Sequence, residues 1–176
     1  MSNETLSNKK IAILATDGFE DSELTSPRDA IAEAGATITV ISTETGEIEG
    51  KNGEKVTVDQ TSTEANAADF DALILPGGTG NADTIRTDEN AVAFVREITQ
   101  ANKPVGVICH GGWILADADA LNGVTITSYP SLKTDLSNAG ATWVDEEVRV
   151  DKGFVSSRTP DDLPAFNKAL IEEFAK

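Results

Sequence analysis

The sequence predicts an α/β protein, a doubly wound, mostly parallel sheet with helices on both faces, and three observations carry that prediction. The first forty residues read as strand, helix and strand, the unit from which parallel sheets are built. The same alternation of apolar strand and helix returns from Ala72 onward. Clusters of polar and glycine residues then fall where strands end, which is where ligands sit in such folds.

Each element follows from local pattern. Lys10 to Thr16 (KIAILAT) is a short apolar strand, stopped by Asp17-Gly18 and followed by a helical stretch to about Glu33. Gly35 breaks that helix, and the β-branched run Ala36 to Ser42 is the second strand. Gly46 to Asp59 holds Asn52-Gly53 between two short alternating runs, the signal of a small β-hairpin insertion with a primed turn. Ala72 to Leu75 is a third strand, ending in Pro76-Gly77-Gly78, and a helix of about Glu89 to Ala101 leads to a fourth, Val105 to Ile108. Cys109 terminates that strand, and Gly111-Gly112-Trp113 opens an alanine-rich helix to about Ala120. Val124 to Thr127, a helix near Lys133 to Asn138, a hairpin through Asp151-Lys152-Gly153 and an amphipathic helix from Leu163 to Phe174 complete the pattern. No repeat, low-complexity tract or long linker interrupts it, so residues 10–176 are expected to form one domain behind a polar tail, residues 1–9.

Composition narrows the function classes. Of the 176 residues 39% are hydrophobic, enough for an ordinary core. Thirty acidic residues against 14 basic give a net charge of −16 with no basic cluster, which excludes nucleic acid and anionic membrane surfaces as partners. The acids are scattered, as on a well-hydrated surface. No apolar run is long enough to cross a bilayer and the first ten residues lack the apolar centre of a secretory signal, so the expected compartment is the cytoplasm. A lone cysteine closes no internal disulfide, and one cysteine with one histidine supplies no structural zinc site. No metal and no cofactor are therefore expected, and Cys109 is left with reactivity or packing.

Cysteine is often inert core, but the position of Cys109 argues for chemistry. Between an apolar strand and a glycine-rich helix start, backbone N–H groups and the helix dipole stabilise an anion and lower a thiol's pKa, and the thiolate is the attacking form. Gly111 and Gly112 permit a sharp turn like the nucleophile elbow of hydrolases, although the G-x-S-x-G pattern is absent. His110, the only histidine, titrates near neutral pH and is the candidate general acid or base. Adjacency alone does not give a Cys–His hydrogen bond, because neighbouring side chains on an extended backbone diverge. Glu20, in Gly18-Phe19-Glu20-Asp21-Ser22-Glu23, is the candidate carboxyl: beside a thiolate its pKa would rise, and the protonated group would donate to sulfur. Asp21 and Glu23 read as acids that simply favour a helix start. The amides of Gly78 and His110 are candidate oxyanion-hole donors. Gly77, Gly111 and Trp113 are the expected pocket residues, with packing as the alternative for Trp113.

Taken together, Ile108-Cys109-His110-Gly111-Gly112-Trp113, Gly18 to Leu24 and Leu75-Pro76-Gly77-Gly78 resemble the PfpI-type intracellular protease family. That family lies within the superfamily of Parkinsonism-associated deglycase-like proteins, whose fold is flavodoxin-like and glutamine-amidotransferase-like. The likeness continues through Thr127-Ser128-Tyr129-Pro130, Ala139-Gly140-Ala141 and Ser156 to Pro160. It implies Cys109 as nucleophile, His110 as its partner, Glu20 as the carboxyl touching sulfur, and the Gly78 and His110 amides as the oxyanion hole. In archaeal relatives a glutamate after the Gly-Gly pair reaches the histidine across a subunit interface; Asp83 is the nearest equivalent, with a shorter side chain and one extra residue in the segment. The resemblance thus implies a homo-oligomer, a dimer or a hexamer built from dimers. Gly112 stands where relatives usually have proline, which loosens the helix start without removing a chemical group.

The implied function is cysteine-dependent attack on electrophilic carbonyls, of deglycase or glyoxalase type and stress-protective, on small carbonyl compounds, glycated protein or peptide. An intracellular cysteine peptidase is the alternative within the same chemistry. A redox sensor whose Cys109 is oxidised without turnover is the alternative from another class. Third is an amidotransferase-like scaffold without activity.

Overall fold

The computed structural model describes residues 5–176. In chain order the elements are β1 (Lys10–Leu14), α1 (Asp21–Glu33), β2 (Thr37–Ser42), β3 (Gly46–Glu49), β4 (Lys55–Val58), β5 (Gln60–Thr61), β6 (Ala72–Leu75), α2 (Thr79–Ile85), α3 (Glu89–Gln100) and β7 (Val105–Ile108). There follow α4 (Trp113–Asp117), β8 (Thr125–Ile126), α5 (Lys133–Asn138), β9 (Thr142–Trp143), β10 (Arg149–Asp151), β11 (Phe154–Ser157) and α6 (Leu163–Phe174). The main sheet has seven strands in the order β10-β11-β7-β6-β1-β2-β5. Every neighbouring pair is parallel except β10 with β11. This is the doubly wound α/β architecture that the alternation predicts.

The central strands are apolar throughout because both faces are covered. Ile11, Ile13, Ile74 and Val155 pack under α1 and α6, against Leu24, Ile31, Phe166 and Leu170. Ala12, Leu14, Leu73, Leu75, Val105 and Val107 face the other way, against Phe94, Val95, Ile98, Ile114, Leu115 and Leu136 of α3, α4 and α5. The period-2 alternation of the strands sorts these side chains between two cores. Within the segment expected as a polar tail, Leu6 is fully buried and its N–H donates to Ala34 O at 2.8 Å; residues 1–4 lie outside the described part.

Two expectations need correction, and one helix is added to those predicted. The hairpin β3–β4 forms, but Glu49 pairs with Lys55, so Gly50 to Glu54 make a five-residue loop instead of a two-residue primed turn. The reason lies in β1–α1: Asp21 accepts from the N–H groups of Asn52 (3.1 Å) and Glu54 (3.0 Å), and Lys51 N–H donates to Phe19 O (2.9 Å), which opens the loop. The helix after Cys109 is shorter than expected, a 3₁₀ turn over Cys109–Gly112 followed by α4, which ends at Asp117. Helix α2, unannounced by its Thr79-Gly80-Asn81 start, is fixed by buried Asn81, which donates to Pro76 O and Gly77 O and accepts from Thr16 N–H. Among the described residues no helix is long and apolar enough to cross a membrane.

Candidate active site

The carboxyl ends of β1, β6, β7 and β11 open on one cavity of about 220 Å³, lined by residues of the loops that follow each strand. Cys109 lies at its base. The residue leaves β7 with φ of 60°, a left-handed conformation that a side chain bearing a Cβ adopts only under constraint. The constraint is close backbone approach: a Cβ on Gly111 would lie 2.5 Å from Leu75 O and 2.9 Å from Pro76 O. An elbow therefore forms without the sequence pattern of hydrolases.

The left-handed turn brings the Cys109 and His110 side chains together, against the divergence expected of neighbours: Sγ is 3.3 Å from Nδ1. The imidazole is stacked on Tyr129 (centroids 4.7 Å apart, planes at 24°) and meets the edge of Trp113 at 5.4 Å. Its outer nitrogen lies 3.5 Å from both Thr79 Oγ1 and Ser131 Oγ. Burial, and secondarily the charge of Lys51, lower the His110 pKa, so at neutral pH the ring is uncharged and able to accept a proton.

The carboxyl against the sulfur is Glu23, where the sequence suggested Glu20. Glu23 is fully buried; Oε1 accepts from Gly77 N–H at 2.9 Å, and the side chain also interacts with Cys109. Its Oε2 is buried with no hydrogen-bond partner. An ionised carboxylate pays heavily for such an oxygen, whereas a protonated one is uncharged and brings an O–H donor beside Cys109. Consistently, burial first and the Glu20 charge second push the Glu23 carboxyl up to about 8. Glu20 instead forms an ion pair with Lys51 at the mouth of the cavity. Glu20 stands at the extended position before α1 and Glu23 within its first turn, and the two acids meet different partners.

The thiol does not simply follow the expected lowering. With Glu23 charged, burial first and the like charge second push Cys109 up to about 12. With the proton on Glu23 that repulsion vanishes and the contact becomes a donor, adding to the His110 and Gly78 N–H groups that already favour thiolate. The two groups form one coupled unit, and a thiolate at Cys109 requires that Glu23, the more deeply buried acid, keep its proton. The short helix adds little dipole; individual donors do the work.

The remaining predicted residues are placed as follows. Gly78 lines the cavity; Gly77, Gly111 and Trp113, expected in its wall, stand behind it. Gly77 is required there, because a Cβ would collide with Glu23 Oε1 and lie 2.7 Å from Cys109 Cβ. Trp113 donates through Nε1 to Asp135 at 3.1 Å and packs beneath Arg86. Asp83 is exposed on α2 outside the cavity, and no hydrogen bond or ion pair joins it to His110 within the chain. Tyr129, Thr159 and Pro160, from the segments that carry the resemblance, line the site too, as do Thr79 and Lys51; the lysine arrives on the hairpin, and only the hairpin's contacts reveal it. Among the described residues no group of three or more His, Cys, Asp or Glu side chains is gathered to hold a metal ion.

Residues 9–173 match the model of the DJ-1/PfpI family. "Putative cysteine protease YraA" of Bacillus subtilis (strain 168) is 49% identical over 165 residues, covering 93% of this chain and 97% of that protein. "Protein/nucleic acid deglycase 2" of Escherichia coli (strain K12) is 48% identical over 167 residues, with 93% and 96% covered. Among solved structures, a two-domain Anabaena variabilis protein with a DJ-1/ThiJ/PfpI-like and a ferritin-like domain superposes with a TM-score of 0.91 at 36% identity, over 94% of this chain and 48% of that one.

Proposed function

The chain belongs to the DJ-1/PfpI family, and from that premise we propose that it is a cysteine-nucleophile hydrolase of deglycase or glyoxalase type, acting on electrophilic carbonyl compounds. The observation that carries this reading is the set of groups around one sulfur: Glu23, His110 and two backbone N–H groups at the base of a cavity. In the proposed step the Cys109 thiolate adds to a carbonyl carbon. The C–S bond forms, the C=O π pair moves to oxygen, and the Gly78 and His110 N–H groups pass from sulfur to the new oxyanion. His110, uncharged and 3.3 Å away, takes up and returns the proton that the adduct must exchange. A cavity of about 220 Å³ suits a small dicarbonyl or a single modified side chain better than an extended peptide.

The E. coli relative is named for deglycation and the B. subtilis relative for proteolysis, so both substrates belong in the test. Wild type and Cys109→Ala are incubated with methylglyoxal and, separately, with a fluorogenic peptide. We expect methylglyoxal consumption that the alanine variant loses at least about a thousandfold, as for removal of a nucleophile. Peptide turnover with no methylglyoxal turnover would move the reading to a peptidase; Cys109-independence of both would end it. A homo-oligomer in which Asp83 of a second copy approaches the outer nitrogen of His110 belongs to the same proposal, and light scattering with Asp83→Asn checks it.

A further inference from the structure

Lys51 is unexplained by the chemistry above. Among the described residues that line the cavity it carries the only full positive charge, in a chain whose net charge is −16. The lysine is held there by design of the backbone rather than by chance of a long side chain. Its own N–H donates to Phe19 O, Glu49 O accepts from Gly18 N–H at 2.8 Å, and Asp21 fastens Asn52 and Glu54 on its far side. The ammonium has three donors, of which Glu20 engages one side, and about half of the side chain is exposed (54%). Glu20 and Lys51 cancel each other's charge. Besides the phenol of Tyr129, the other ionisable groups facing the cavity are His110, which is uncharged, Glu23, which keeps its proton, and the sulfur. A thiolate therefore leaves the cavity net negative, and Lys51 is the one group able to hold a second anion near it.

We propose that Lys51 makes this cavity selective for carbonyl compounds bearing a carboxylate beside the reacting carbon, the carboxylate docking on the ammonium while the carbonyl meets Cys109. The inference rests on Cys109 as the nucleophile. Thr79 and Thr159 line the same cavity. Simple neutral dicarbonyls enter without that contact, so the lysine sorts substrates within the class proposed above.

Two pairs of probes of matched size test this without requiring turnover. Alkylation of Cys109 by iodoacetate and by iodoacetamide is followed by intact mass, and protection of Cys109 from iodoacetamide is measured with glyoxylate and with glyoxal. In wild type the iodoacetate-to-iodoacetamide rate ratio should exceed that of glutathione, and glyoxylate should protect at lower concentration than glyoxal. Lys51→Met should lower both preferences about tenfold, the size expected for one unit charge a few ångströms away at a half-exposed site. Lys51→Arg, which keeps the charge, should hold them within about twofold. Ratios unchanged in Lys51→Met, or a parallel fall in all rates, would overturn the inference and leave Lys51 as a counter-ion for Glu20. A wild-type iodoacetamide rate no faster than that of glutathione would instead strike the nucleophile reading, while the ratios would still report on the lysine.

Discussion

The elbow after β7 and the helix start after β1 form the two halves of the same site, yet they are specified in different ways. At the elbow, the chemistry is written in consecutive residues: an apolar strand, then Cys109, His110 and two glycines, of which Gly111 permits the close approach to Leu75 and Pro76 that holds the left-handed turn. At the helix start, Glu20, Asp21 and Glu23 are three acids within four positions, indistinguishable by type and all suited to a helix N-terminus. Their roles are assigned by what stands opposite. Lys51 takes Glu20, the hairpin backbone takes Asp21, and Gly77 with Cys109 takes Glu23. The residues that form the elbow are thus marked locally, whereas the identity of a proton-holding carboxyl is a property of the neighbours.

The sharpest way to test that contrast is the stability of Glu23→Gln against pH. The carboxyl, ordinarily near 4.5, is raised to about 8 in the folded chain. The folded state therefore holds a proton that the unfolded chain releases. The cost is absent below about pH 4.5, grows as pH rises towards 8 and is constant beyond. Glutamine carries no such cost, so between pH 5 and pH 8 wild type should lose on the order of 3 kcal/mol relative to Glu23→Gln in urea melts. Parallel profiles for the two proteins would mean that Glu23 is ionised in the folded state.

Next in size, Glu23→Leu removes the donor from sulfur, and alkylation by iodoacetamide near pH 7 should slow about 10- to 100-fold, the worth of one hydrogen bond to a charged group. Gly77→Ala strikes both halves at once, because its methyl meets Glu23 on one side and Cys109 on the other. A loss of about 1–3 kcal/mol of stability, with slowed alkylation, is the expected result of such overpacking. The smallest effect belongs to Glu20→Gln, which breaks only a partly exposed ion pair: stability should change by less than about 1 kcal/mol. Were Glu20→Gln to slow alkylation as much as Glu23→Leu does, the division of labour between the two acids would be wrong.

Elements whose limits are set by their own residues were legible. Helix α6 runs from Leu163 to Phe174 as its apolar spacing requires, and β6 and β7 occupy the predicted apolar runs. Cys109, His110 and Gly78 could be picked out because glycines and strand ends mark them. Glu23 could not: a carboxyl at a helix start gives the same local signal whether it faces water or sulfur. The hairpin turn departs from its local signal for a related reason, since Asn52-Gly53 favours a tight turn until the Asp21 carboxylate offers two acceptor oxygens to the loop's N–H groups. Lys51 carries no signal of its own in the sequence; it matters only because the hairpin folds back over the β1–α1 loop.

The sequence by itself determined the alternation of strands and helices and the two-faced core, because each depends on apolar spacing a few residues wide; the sharp turn at Cys109 is permitted by Gly111 but fixed by the backbone of Leu75 and Pro76 at the end of β6. Which acid keeps a proton, which lysine guards the cavity and which groups approach the imidazole were decided only when segments far apart in the chain came together. Burial and charge act through space, and a one-dimensional pattern does not contain distances.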